Sequence, residues 1–179
     1  MRSREPHRSI LVGQPLVRFG FGTLIYLCQS SACVPIEESH SNDSVQSTSE
    51  FGLVRLSPGF QPDPWVVSGR AGGPVQGSLV HASCPGWRSR RPGHTLRVTD
   101  RIQRLRILVR ALRDSTLIVQ NPNGSLRCND DAEDRNPIID GAFEAGTYRV
   151  WVGTYSETKT LSYRLGFSEL EGVSARDLR

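Results

Sequence analysis

Between His94 and Ser168 the apolar residues of this chain recur at every second position. In HTLRVTD, Leu96 and Val98 alternate with polar neighbours; in RLRILVRA, Leu105, Ile107, Val109 and Ala111 alternate with Arg104, Arg106, Leu108 and Arg110. Tyr148, Val150 and Val152 share one face of TYRVWVG, with Arg149 and Trp151 on the other. Leu161, Tyr163, Leu165 and Phe167 alternate with Ser162, Arg164, Gly166 and Ser168. Successive side chains of an extended strand point to opposite faces, so this period predicts strands with one buried and one wet face. No segment keeps a helical period.

The connections agree with that reading. Pro58, Pro62, Pro64 and the Gly72-Gly73 pair exclude a long regular element after the short strand candidate FGLVRL. From Asp114 to Tyr155 the order is a strand, an Asn-Pro-Asn-Gly turn, a second strand ending in a cysteine, an acidic loop, an Ala-Gly turn and a third strand. With GSLVHASC as a further strand, the pattern predicts an all-β, antiparallel, jelly-roll-like sandwich of seven or eight strands over residues 51–170. GVSARDLR, within 171–179, reads as a frayed tail.

Residues 1–50 read as lying outside that body, as a disordered leader and linker. Arg2, Arg4, Arg8 and Arg18 precede the apolar run FGFGTLIYLCQSSACV, the arrangement of an export signal over 1–33. Two readings are open at its end. Ser30, Ser31 and Ala32 suit ordinary cleavage, or Cys33 becomes the lipidated first residue of a lipoprotein, although the leucine usual three residues earlier is missing. The run is too short and too polar to span a membrane, so membrane contact is expected only through such a lipid or an uncleaved signal. A polar, Ser-rich linker fills 34–50. The expected location is secreted or attached to the cell envelope.

Four cysteines permit three complete pairings, and their number does not choose among them. Cys28 and Cys33 lie in the apolar leader, whereas Cys84 and Cys128 each end a probable strand of the body, so a bridge between the latter two is expected, with two buried thiols as the alternative. A bridge there requires an oxidising compartment.

Twenty-one of the 22 basic residues are arginine. Nine of them stand between Trp87 and Arg113 against Asp100 alone, while 129–144 is acidic, so charge is segregated along the chain. Arginines alternating on a strand are an ordinary wet face that also guards a sheet edge, and no nucleic-acid partner is inferred. The acidic connection is the candidate site. Asn129, Asp130, Asp131, Asp134, Asn136 and Asp140 crowd hard oxygen donors of the kind that Ca²⁺ takes six to eight at a time. The spacing is not that of an EF-hand. Solvated acids and Asx turns are the plainer account.

Catalysis has little support. His81 and His94 are the histidines of the body, and no serine stands in a G-x-S-x-G or G-D-S-G context. H-E-x-x-H and paired C-x-x-C spacings are missing too. Trp151 and Tyr155 are candidates for an aromatic platform toward a glycan or peptide, because Trp151 faces away from the side assigned to the core; packing of Trp151 under the PDP loop at 62–64 is the plainer account.

Taken together, LSPGFQPDPWVVSGRAGG, the CPG at 84–86, DSTLIVQNPNGSLRCNDD, AGTYRVWVGTY and YRLGFSEL resemble the bacterial pre-peptidase C-terminal domain. This is a β-sandwich usually appended to secreted proteases and other exported proteins. The resemblance implies a non-catalytic module that binds or supports an extracellular protein or polysaccharide, or serves a secreted protease, in some members with calcium. It also implies that Cys84 and Cys128 pair.

Overall fold

The computed structural model describes residues 26–29, 32–35, 49–157 and 160–179. The chain divides into two units, 1–44 and 45–179. In the first, β1 (Tyr26–Gln29) pairs antiparallel with β2 (Ala32–Pro35), placing Cys28 opposite Cys33. The sequence reading expected no strand there, only the apolar part of a leader. Ser30, Ser31 and most of the expected linker lie outside the described residues, as does the side chain of Cys33.

Among its described residues the second unit holds eleven strands, several of them short, where seven or eight were expected. They are β3 (Leu53–Leu56), β4 (Trp65–Ala71), β5 (Val75–Gln76), β6 (Trp87–Arg88), β7 (His94–Val98), β8 (Ile102–Ala111), β9 (Ser115–Gln120), β10 (Leu126–Asn129), β11 (Ile138–Phe143), β12 (Gly146–Thr154) and β13 (Leu161–Ser168). One sheet runs β10-β9-β12; the far edge of β12 is shared by β7, which carries β3, and by β6, which carries β5. The other runs β11-β8-β13-β4. The pairing is antiparallel, as expected, with one parallel addition, β3 on β7.

The period-two residues do what their spacing predicts. Leu96, Val98, Leu117, Val119, Tyr148, Val150 and Val152 of one sheet meet Leu105, Ile107, Val109, Tyr163, Leu165 and Phe167 of the other in a single core. The result is a β-sandwich. Fully buried side chains such as Phe143 and Phe167 each contribute about 1.5–3 kcal/mol of transfer free energy. The hairpin turn is also as expected. The Asn121 amide donates to the Ser125 carbonyl at 2.8 Å, and Gly124 takes a φ of +87° that a side chain would resist.

The end of the chain is not frayed. Val173, Ala175 and Leu178 are buried, a short 3-10 turn (Ala175–Asp177) is capped by Ser174, and Leu178 lies on Leu108, with Val66 and Ile138 beside it. Arg106 donates to the Val173 carbonyl at 3.0 Å and Arg110 to the Leu178 carbonyl at 2.9 Å. This segment therefore caps part of the outer face of the second sheet. Gly166 is needed beneath it, because a Cβ there would run into the Leu178 side chain.

Candidate functional site

The loop between β10 and β11 does carry the acids read from the sequence, but they do not converge. Asp140 sits on β11 directly opposite Arg106 of β8. Its carboxylate takes paired hydrogen bonds from Arg104 at 3.1 and 3.2 Å and from Arg106 at 2.8 and 3.1 Å. Desolvation pushes this carboxyl up, yet the hydrogen bonds from Arg104 and Arg106 outweigh it and hold it below the usual carboxylate range. The Asn129 carboxamide oxygen accepts the Ile138 amide at 3.0 Å, and that of Asn136 accepts the Ala111 amide at 2.9 Å. Both asparagines thus stitch the loop to neighbouring strands.

Glu133 accepts the Ala175 amide at 2.8 Å, and Glu144 pairs with Arg101 at 3.0 Å. Asp130, Asp131 and Asp134 are left, and among the described residues no three Asp, Glu, His or Cys side chains are grouped to hold a metal ion. Of the six expected ligands, Asp140, Asn129 and Asn136 are directed to different partners. Sequence reasoning also missed Asp114, at the β8-β9 turn. Its carboxyl is raised by burial first and then by the charges of Asp131 and Asp130, with Arg135 opposing. Only the approach of Asp130 and Asp131 across the loop, not its own sequence context, reveals it. We expect melting curves with millimolar Ca²⁺ and with chelator to superimpose; a rise of several degrees with Ca²⁺ would restore a site.

Sulfur and the indole form a second enclosed cluster, apart from the main core. Cys84 and Cys128 are bridged, their Cα atoms 5.2 Å apart, within the range of ordinary disulfides. Cys84 is fully buried and forms a second, smaller core with Ile118 and Trp151, flanked by Leu126 and Cys128. Trp151 does face away from the main core, as its position in the alternation requires. The loop carrying Cys84 then covers it, leaving it 7% exposed, and the Arg88 guanidinium lies 4.6 Å over its ring. The platform is corrected accordingly: Tyr155 remains exposed, but the Trp151 ring supports the disulfide instead of a ligand.

The two described histidines have different settings. His94 is buried with Nε2 2.9 Å from the Tyr163 hydroxyl. His81 lies 2.7 Å from Ser83 within its own exposed turn, and the Ser83 amide also donates to its ring at 3.3 Å. That arrangement is local turn closure.

With this geometry in view, the chain can be set beside known proteins. No known family and no curated protein matches it. Among solved structures it is similar to the pre-peptidase C-terminal domain of collagenase from Bacillus anthracis. The identity is 12% and the TM-score 0.42, with 65% of this chain and 94% of that chain covered. That domain is of the family whose motifs the sequence resembles.

Proposed function

We propose that this is an exported, non-catalytic β-sandwich module that binds an extracellular protein or polysaccharide. The observation that carries the reading is the bridge between Cys84 and Cys128, set inside an apolar cluster with Trp151 and Ile118. Structural disulfides of this kind form and persist where the environment is oxidising. The placement of His81 and His94, one in its own turn and one against a tyrosine, supports a module without turnover. No helix among the described residues is long and apolar enough to cross a membrane, so attachment at the envelope would fall to the leader.

The motif resemblance favours an accessory role within a secreted protease system as one version of this reading. The other version is a carbohydrate- or matrix-binding lipoprotein anchored at Cys33. The reading does not depend on calcium: Asp140, Asn129 and Asn136 are engaged by arginines and backbone amides, which leaves Asp130, Asp131 and Asp134 of the six. Mass spectrometry of the chain isolated from its own cells, alkylated before reduction, tests all of this at once. The expected product lacks the leader and carries unalkylated, bridged Cys84 and Cys128, and a lipid mass on Cys33 selects the anchored version. A chain that retains its leader and takes up alkylating agent at both cysteines would overturn export.

A further inference from the structure

The outer face of the sheet β11-β8-β13-β4 carries two kinds of arginine. Toward β11, Arg104 and Arg106 share Asp140, and Arg104 also meets Glu171 at 3.1 Å. Beyond the capping segment, Arg70 of β4, Arg110 of β8, Arg164 of β13 and Arg179 line an open groove of about 740 Å³. Among the described residues none of these four lies within 4 Å of an acidic side chain, although Asp177 feels the charge of Arg179.

Their positions follow from the register. Arg164 stands directly opposite Arg110 on one side and Ser68 on the other, and Arg70 stands opposite Ser162. Neighbouring strands are about 4.8 Å apart, and like charges placed opposite one another across a ladder are destabilising. An anion laid along the row removes that repulsion. Arg110 also donates to the carbonyls of Arg176 and Leu178 at 3.2 and 2.9 Å, which fixes the segment that forms the groove wall.

From this charge complementarity we infer that the groove binds an acidic polysaccharide, with the guanidiniums of Arg70, Arg110, Arg164 and Arg179 meeting its sulfates or carboxylates and Ser68 and Ser162 meeting its hydroxyls. Guanidinium to oxyanion contacts of this kind are the stronger class of hydrogen bond. The lining disfavours other polyanions. Single-stranded nucleic acid is held by bases stacked on aromatic rings, and the one aromatic residue here, Tyr163, turns its buried ring inward to His94. An anionic bilayer is separated from a soluble polysaccharide by the vesicle arm of the test. The inference deepens the binding-module reading and rests on it for its setting.

The test is binding of heparin to the full-length, disulfide-bonded chain at about 50 mM salt, with uncharged dextran as the blank. Affinity should fall as salt rises, and roughly tenfold or more in R70Q/R164Q and in S162E, none of which touches the capping segment. R97Q/R149Q removes the same charge from the other sheet, where these arginines bond only to Thr147 and Gln120; its affinity should stay within about twofold of the parent. Three results overturn the assignment: no heparin binding, an equal loss in both double variants, or binding of a single-stranded oligonucleotide or anionic vesicles as tight as that of heparin. Failure here with a bridged, exported chain leaves the module reading standing. Reduced thiols in the native chain remove that reading without touching the groove.

Discussion

Replacing Cys84 and Cys128 together by alanine should lower the stability of the body by about 4 kcal/mol, the figure that chain entropy assigns to a bridge closing a loop of this length. The two cysteines are 44 residues apart in sequence. Opening the bridge restores to the unfolded chain the freedom of everything from β6 to β10. The folded state loses as well, since Trp151 and Ile118 pack on sulfur that alanine does not replace. Against a total of about 5–15 kcal/mol for an ordinary domain, this multiplies the unfolded fraction roughly a thousandfold. The melting temperature should drop by roughly 10–20 °C in urea-free buffer. Reduction of the parent chain, which keeps the sulfur in place, should produce most of that drop. A change under about 3 °C in both experiments would show that the apolar cluster, not the bridge, holds this edge of the sheet together.

The sequence told which residues face inward far better than what covers the outward ones. Alternation placed Leu105, Ile107 and Val109 on one side of β8 and Arg104, Arg106, Leu108 and Arg110 on the other, as found. Leu108 was the sign that the wet side is partly roofed. Its cover comes from Val173 and Leu178, whose nine-residue segment holds too few apolar residues to declare itself. Trp151 repeats the lesson: its face was legible, but the loop bearing Cys84 that closes over it was not, because that contact depends on the bridge.

Charge was legible as composition and illegible as pairing. The acids of 129–144 look like one ligand set in a linear string. A β-ladder then carries Asp140 across to Arg106, while Asn129 and Asn136 turn to backbone amides. The same register collects Arg70, Arg110 and Arg164, which are spread over more than ninety residues of sequence, on one surface. Sequence proximity made the acids look like one set, and sequence distance hid the row of arginines.

Acid should weaken the body through His94 before it reaches the carboxylates. Burial holds this ring neutral, lowering its pKa from 6.5 to about 4. Nε2 has the Tyr163 hydroxyl, Nδ1 has no partner, and the rings of Phe51 and Tyr163 pack beside it, so a second N–H and a charge would have nothing to meet. The unfolded chain takes up a proton below its ordinary pKa and the folded chain does not. Stability is therefore whole above pH 6.5 and falls as the pH drops toward 4, by about 3 kcal/mol across that window. Asp140 acts in the same direction but lower, because a carboxyl held below its usual value loses its contribution only as the pH falls through that depressed value. Asp114, held above its usual value, opposes both, since protonating it in acid relieves a cost. Urea unfolding at pH 7 and near pH 4 should accordingly be compared between the parent and H94Q, which keeps a polar partner for Tyr163 and does not titrate. The pH-dependent loss should shrink by about 3 kcal/mol in the variant while the carboxylate region below pH 4 stays alike. Identical losses in the two proteins would mean that water reaches His94 and that the ring is charged in the fold.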